Sequence, residues 1–359
     1  MVWHNLQARP LRSILSIVAI SLQVLLLLLI VGFTSGVLAD WAERAEGIGA
    51  DIMVQPAGSS PFFGFSSSVM QVGIADEIAK LPSVDEVSPV FFVVDSKSLQ
   101  NIFGIEEASF EGLSKGFRFI SGHALQNPDD VIADDLAART HHLHVGDTMQ
   151  LLNRSFHVVG IVLHGKGARY YIQLHTAQEI AGADKRISMV YVRSRGNTDQ
   201  TRAEIVSLLP KYRITTIAEY MTLMTSSNLP GLQDFIRAFI ILGVGISFLV
   251  VLLTMNTMVL ERTREIGILR ALGTSRMGIL KLIELEACVM AGFGAAFGLI
   301  VAFTTIRVLR SWEPTLQIRV APMWVGRAII LALIASAFGA FYPAYRAARV
   351  DPIEALSDE

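Results

Sequence analysis

Cysteine is nearly absent from this 359-residue sequence. Cys288 stands alone, which excludes an intramolecular disulfide and a cysteine-based zinc knuckle. Charge is scarce too, at 17% of residues, against about 25% for an ordinary soluble domain. There is no basic excess, the formal net charge being −2, and this excludes a general nucleic-acid binder that works by neutralising phosphates. The length admits about two or three domains.

The scarcity of charge is uneven. It is complete in four runs: Ser13–Ala39 (27 residues, with only Gln23 strongly polar), Ala238–Leu260 (23), Ala287–Ile306 (20) and Ala328–Tyr345 (18). A helix needs about 20 apolar residues to cross the roughly 30 Å hydrocarbon core. The runs therefore predict four transmembrane helices rather than buried helices of a large soluble protein. All four tryptophans, Trp3, Trp41, Trp312 and Trp324, lie at run edges, where an amphipathic indole suits the membrane–water interface. The first run exceeds the about 7–15 apolar residues of a signal peptide and is expected to stay as an anchor. Trp3–Arg12 is expected as a short surface segment, ended or bent by Pro10.

Lysine and arginine bias sets orientation. Arg9, Arg12, Arg262, Arg264, Arg270, Arg276, Lys281, Arg346 and Arg349 share one side if both termini are cytoplasmic, with Arg307, Arg310, Arg319 and Arg327 near the other. Residues 40–234 carry net −7 and the remainder +5, an acidic outer domain against basic inner loops. The expected division is a surface segment 1–12, spans at 13–39, 236–260, 282–310 and 324–345, an extracytoplasmic domain 40–235, a cytoplasmic loop 261–281, an outer loop 311–323 and a cytoplasmic tail 346–359.

The long island reads as mixed α/β. Strands are expected at 50–55, 87–94, 148–152, 156–162 and 188–193, and helices at 75–81, 130–139 and 198–209. Between the first strand and first helix, Phe62, Phe63 and Phe65 occupy a Gly/Ser/Pro-rich loop; they either plug the domain core or touch a lipid or apolar substrate. Gly160, Gly165 and Lys166 satisfy GxxxxGK, but position 167 is Gly instead of the magnesium-binding Ser/Thr, and a strand pattern follows where a helix is required. The match is read as chance. His141, His142 and His144 crowd a turn without the cysteine or ordered carboxylates that would complete a metal site, so they are read as solvated. No metal site and no catalytic constellation is expected.

The densest pattern lies between runs two and three, as ERTREIGILRALGTSR over 261–276. Ile266, Leu269 and Leu272 are spaced for one helical face and Arg270 for another, while Gly267 and Gly273 permit close approach or a sharp turn. Such a helix either lies on the inner membrane surface or docks into a groove of a cytosolic partner. In run three, Gly294 and Gly298 form a GxxxG pair for close helix approach, within the chain or across a dimer. Glu284 and Glu286 are expected to reach water or pair with Lys281, and Pro343 to kink the last helix.

The stretch ERTREIGILRALGTSRMGIL (261–280) resembles the corresponding loop of MacB/FtsX-type ABC permeases, and YPAYRAARVDPIEAL (342–356), NLQARPLRSILS (5–16), GIGADIMVQP (47–56) and VGDTMQLLNRSFHVVGIV (145–162) extend the similarity. The resemblance implies four membrane helices arranged one plus three, with an inserted periplasmic core domain of mixed α/β type. It implies a coupling helix seated on a cytosolic ABC ATPase, through Glu261, Arg264, Glu265, Gly267, Arg270 and Gly273, and a membrane-proximal tail with Arg346, Arg349 and Pro352. No LSGGQ signature or credible nucleotide loop is present, so ATP and magnesium are expected on a separate ATPase chain, with no cofactor and no enzyme activity on this one. The resemblance further implies a bacterial inner-membrane location, a second permease copy, lipid contact and an outer adaptor or carrier. It points to ATP-driven export or extraction of an apolar or lipid-linked cargo. The alternative it carries is an FtsX-like transducer that switches a cell-wall hydrolase without transport; an island of about 195 residues favours transport.

Overall fold

The computed structural model describes residues 10–59, 68–95, 97–98, 100–224 and 231–349. Phe62, Phe63, Phe65 and Pro352, and the Trp3–Arg12 segment as far as residue 9, lie outside them. In chain order the elements are α1 (Pro10–Gly47), β1 (Ile52–Pro56), β2 (Met70–Gln71), α2 (Gly73–Ala79), β3 (Val84–Val94), β4 (Asn101–Ile105), α3 (Glu107–Ser114), β5 (Phe119–Gly122), β6 (Asp130–Asp134), α4 (Asp135–Thr140), β7 (Thr148–Leu151) and β8 (Arg154–Val162). They continue with β9 (Tyr170–Gln173), α5 (Leu174–Ile180), β10 (Arg186–Ile187), β11 (Met189–Ser194), α6 (Thr198–Leu208), β12 (Tyr212–Thr216), α7 (Ile217–Leu223), α8 (Leu232–Glu261), α9 (Thr263–Ala271), α10 (Arg276–Trp312) and α11 (Pro322–Ala348).

Two compact units result. The helical one takes α1 through Gly36, residues 230–311 and the chain from Ile318; the other takes residues 37–229, with the sheet, together with Trp312–Gln317. In the helical unit α1, α8, α10 and α11 are each long and apolar enough to cross a membrane. Their outward positions carry large apolar side chains such as Ile241 (69% exposed), Leu253 (66%) and Phe338 (69%), a surface that water would penalise and lipid tails accept. Inward positions are small. Gly294 and Gly298 bring α10 onto α1: a Cβ on either would come within 2.8 Å of Ile20 or the Ser21 carbonyl. Ser21 Oγ donates to the Gly294 carbonyl at 2.8 Å, and Ser336 Oγ on α11 to the Ala287 carbonyl at 3.0 Å. These short polar links satisfy hydroxyls that lipid could not. Helix α11 continues through the buried Pro343.

The second unit is built on a mixed sheet in the order β12-β1-β11-β3-β4-β9-β6-β8-β5, with β7 on β8. The pairs β4–β9 and β6–β8 are parallel and the other neighbours antiparallel. One core gathers Ile52, Val54, Val190, Val192 and Ile205; another gathers Ile102, Val131, Phe156, Val158 and Ile172. Residues 130–139, expected as one helix, divide: Asp130–Asp134 is strand β6 and only Asp135–Thr140 is helix. Val131, Ile132 and Ala133 are fully buried between β8 and β9, so pairing on both edges overrides local helical preference. Asp134 then caps α4, its Oδ1 accepting from Ala137 N at 2.7 Å.

Candidate functional site

The loop between the second and third spans is almost wholly helical. α8 ends at Glu261, Arg262 (φ −110°, ψ 15°) breaks the helix, and α9 restarts at Thr263. The Arg262 guanidinium reaches Glu265 on α9 and Glu286 on α10, both at 3.4 Å. Glu286 is 2% exposed. A carboxylate this deep requires a cation nearby, because an isolated buried charge is expensive. The pair fastens the exit of one span to the entry of the next, over a cleft of about 70 Å³ lined by Met258, Ile266, Leu269 and Ile283. Instead of reaching water or pairing with Lys281, Glu286 meets Arg262, 24 residues upstream.

The end of α9 is closed by two backbone bonds, Gly273 N to Arg270 O and Thr274 N to Leu269 O, each 3.0 Å. This is the six-to-one and five-to-two pattern of a Schellman cap. It requires a left-handed residue after the cap, and Gly273 supplies it at φ +92°. Ser275 then receives the Gly278 N–H at 3.1 Å and starts α10.

The proposed contact residues fall on two faces. Glu261, Arg264, Glu265 and Gly273 are exposed, Gly267 is buried, and Arg270 is half-buried, its Nε–H donating to no acceptor among the described residues. Ile266 and Leu269 pack inward as their spacing predicts. Leu272 does not: still bonded to the Ile268 carbonyl at 3.0 Å, it lies six residues and about 120° around the helix from Ile266, next to Ile268, and stands 79% exposed. With Ile268 (45%) and Met277 (59%) it gives the loop an exposed apolar patch amid charge. Sequence spacing missed this patch: steps from Ile266 to Leu269 and Leu272 drift off one face by about 60° each, whereas Ile268 and Leu272 are four apart and share the outer face. It also missed Arg262, whose bond to Glu265 is local but whose bond to Glu286 depends on span packing.

Elsewhere, Arg346 is exposed in the last turn of α11, and the Arg349 guanidinium lies 4.3 Å from the Tyr345 ring centre. His141 contacts Gln100 at 3.3 Å and His144 contacts Asp147 at 3.5 Å. Among the described residues no three His, Cys, Asp or Glu side chains converge as a metal site would require.

Two family descriptions match and together cover most of the chain: the MacB-like periplasmic core domain over residues 13–208 and the FtsX-like permease C-terminal region over 237–352. A macrolide export ATP-binding/permease protein MacB of Sodalis glossinidius is 23% identical across 100% of this chain and 60% of its own length. An uncharacterised ABC transporter permease of Methanocaldococcus jannaschii is 23% identical over 60% of this chain and 58% of its own. This chain thus spans about three fifths of the length of these relatives. Among solved structures, the periplasmic region of MacB from Actinobacillus actinomycetemcomitans aligns over 52% of this chain and 97% of its own, with 20% identity and a TM-score of 0.40. The core-domain match alone covers more than half of the sequence, and the chain carries four membrane-length helices and an inserted mixed α/β domain: it belongs to the MacB/FtsX-type ABC transporter permeases.

Proposed function

We propose that this protein is the non-catalytic membrane subunit of an ATP-driven export or extraction machine for an apolar or lipid-linked cargo. Both termini and the 261–281 loop face the cytoplasm, where α9 seats on an ABC ATPase. A second permease copy completes the complex. ATP-driven closure of the ATPase pair shifts the spans, and the outer domain moves with them; ATP and magnesium act on the ATPase, and an outer adaptor or carrier receives the cargo. The observation that carries this reading is the capped helix α9, which holds Ile268 and Leu272 outward beside Arg264 and Glu265, with Met277 exposed at the start of α10. An apolar patch rimmed by charge is the usual face of a docking helix.

The test uses the full protein reconstituted with its ATPase. Gly273→Pro removes the N–H that bonds Arg270 O and forces φ from +92° to about −65°; Arg270→Glu reverses a charge on α9. Each is expected to reduce permease-stimulated ATP turnover roughly tenfold, a coupling loss of about 1.4 kcal/mol, with insertion unchanged. Unaltered stimulation in both variants overturns the assignment of α9. Turnover that persists without any cargo leaving the membrane assigns the protein to signal transduction instead.

A further inference from the structure

The GxxxxGK segment lacks the Ser/Thr and the following helix of a phosphate loop, yet it sits at a tight junction. Lys166 Nζ donates to the Ser114 and Gly116 carbonyls, so its ammonium is committed within the domain. Gly167 N donates to Arg44 O at 2.9 Å, and a Cβ on Gly47 would lie 1.8 Å from Gly165 O. The 164–169 loop is wrapped around the last turns of α1. Gly167 has φ +51°, and a Cβ there would meet the Phe103 ring at 2.4 Å, so only glycine lets the loop pass.

Inside that wrap lie four charges that the sequence analysis did not single out. Arg44 bonds Asp40 (3.0 Å), Asp134 (2.7 Å) and the Ala168 carbonyl (2.9 Å) through its three nitrogens. Arg169 reaches Asp40 at 3.2 Å and the Thr315 carbonyl at 2.9 Å, with Asp134 at 3.7 Å. No side chain of the four is more than 13% exposed. Two cations and two anions cancel, so the cluster offers no net charge to a ligand. What it joins is informative: α1 through Asp40 and Arg44, β6 and α4 through Asp134, the strand-leading loop through Arg169, and the 312–317 connection through Thr315.

We propose that Asp40, Arg44, Asp134 and Arg169 are positioning residues that form a charge latch, fastening α1 and the 312–317 connection to one point on the domain sheet so that span movement reaches the domain without slack. The source of that movement rests on the function proposed above. Apolar contacts resist separation but permit sliding, whereas directed charge-assisted bonds from a planar guanidinium to separate carboxylates fix register. A buried ion cluster adds little stability over apolar packing, so register is the property it contributes.

The test is made on the full chain in lipid nanodiscs, in a Cys288→Ser background, with nitroxide pairs placed at exposed positions: Lys80 with Glu46, and Lys80 with Glu313. Both distance distributions are expected to be narrow. Arg169→Gln should broaden only the Lys80–Glu313 distribution, because Arg44 still holds α1, and Asp134→Asn should broaden both. A merely stabilising role would lower the melting temperature without this selectivity. Unchanged widths in Arg169→Gln overturn the latch, whether or not Asp134→Asn folds. With the ATPase present, Arg169→Gln is expected to keep ATP turnover while the nucleotide-dependent change in the Lys80–Lys80 distance between two copies falls about fivefold or more. A change equal to that of the parent protein overturns the latch. Absence of any nucleotide response in the parent counts against the proposed function alone, since the resting distributions decide the latch without nucleotide.

Discussion

Asp135 shows how one side chain acquires a role that its position in the sequence does not announce. It opens α4 at 3% exposure. Burial works to raise its pKa, but the His164 backbone N–H (2.9 Å), the His164 ring at 2.8 Å and Arg139 at 2.5 Å prevail and hold the carboxyl below its ordinary range. A carboxylate whose folded pKa is depressed contributes stability that is complete above the unfolded value, about 3.9, and is lost as pH falls through the folded value. Thermal unfolding of the full protein measured from pH 7 to pH 3 should therefore show Asp135→Asn less stable at neutral pH and flatter below about pH 4. A parallel pH profile in parent and variant would contradict this account. The same group ties the start of α4 to the loop that wraps α1, which gives the local bond a wider consequence.

At the scale of elements, packing between α1 and α10 depends on missing side chains. Gly298 faces the Ser21 carbonyl and Val24, each within 2.9 Å of a notional Cβ. Gly298→Val is expected to separate the two helices and cost about 1–3 kcal/mol, the usual penalty for overpacking. Gly292, with nothing within 4 Å, should accept alanine within about 0.5 kcal/mol. Unfolding in mild detergent, monitored by helicity, distinguishes the two; equal effects would remove the steric argument. Residues 130–139 teach the converse. Their composition suits a helix, yet Ile132 and Ala133 pair on both sides, because a buried position between two strands satisfies its backbone only by extending.

For the whole molecule, the informative quantity is the distribution of charge. Net −7 falls over residues 40–234 against +5 elsewhere, and the proposed orientation places the arginine-rich 261–281 loop on the cytoplasmic side, where lysine and arginine are retained. In a Cys288→Ser background, a cysteine at the exposed Lys80 should react with a membrane-impermeant maleimide added to sealed spheroplasts, and one at the exposed Leu272 should react only after lysis. The opposite pattern would invert the orientation and, with it, the assignment of α9 to an ATPase.

The sequence by itself determined the membrane spans, since length and apolarity suffice to choose lipid over water. It also marked α9, whose inward Ile266 and Leu269 follow the helical period and whose Gly273 announces the turn. Tertiary structure alone decided the rest. Glu286 meets Arg262 only because two spans pack side by side, and Leu272 is exposed because its face of α9, shared with Ile268, is not covered. Asp40, Arg44, Asp134 and Arg169 lie up to 129 residues apart in sequence. No periodicity links such positions, because a buried charge is stabilised by whichever partners the fold brings within about 3 Å.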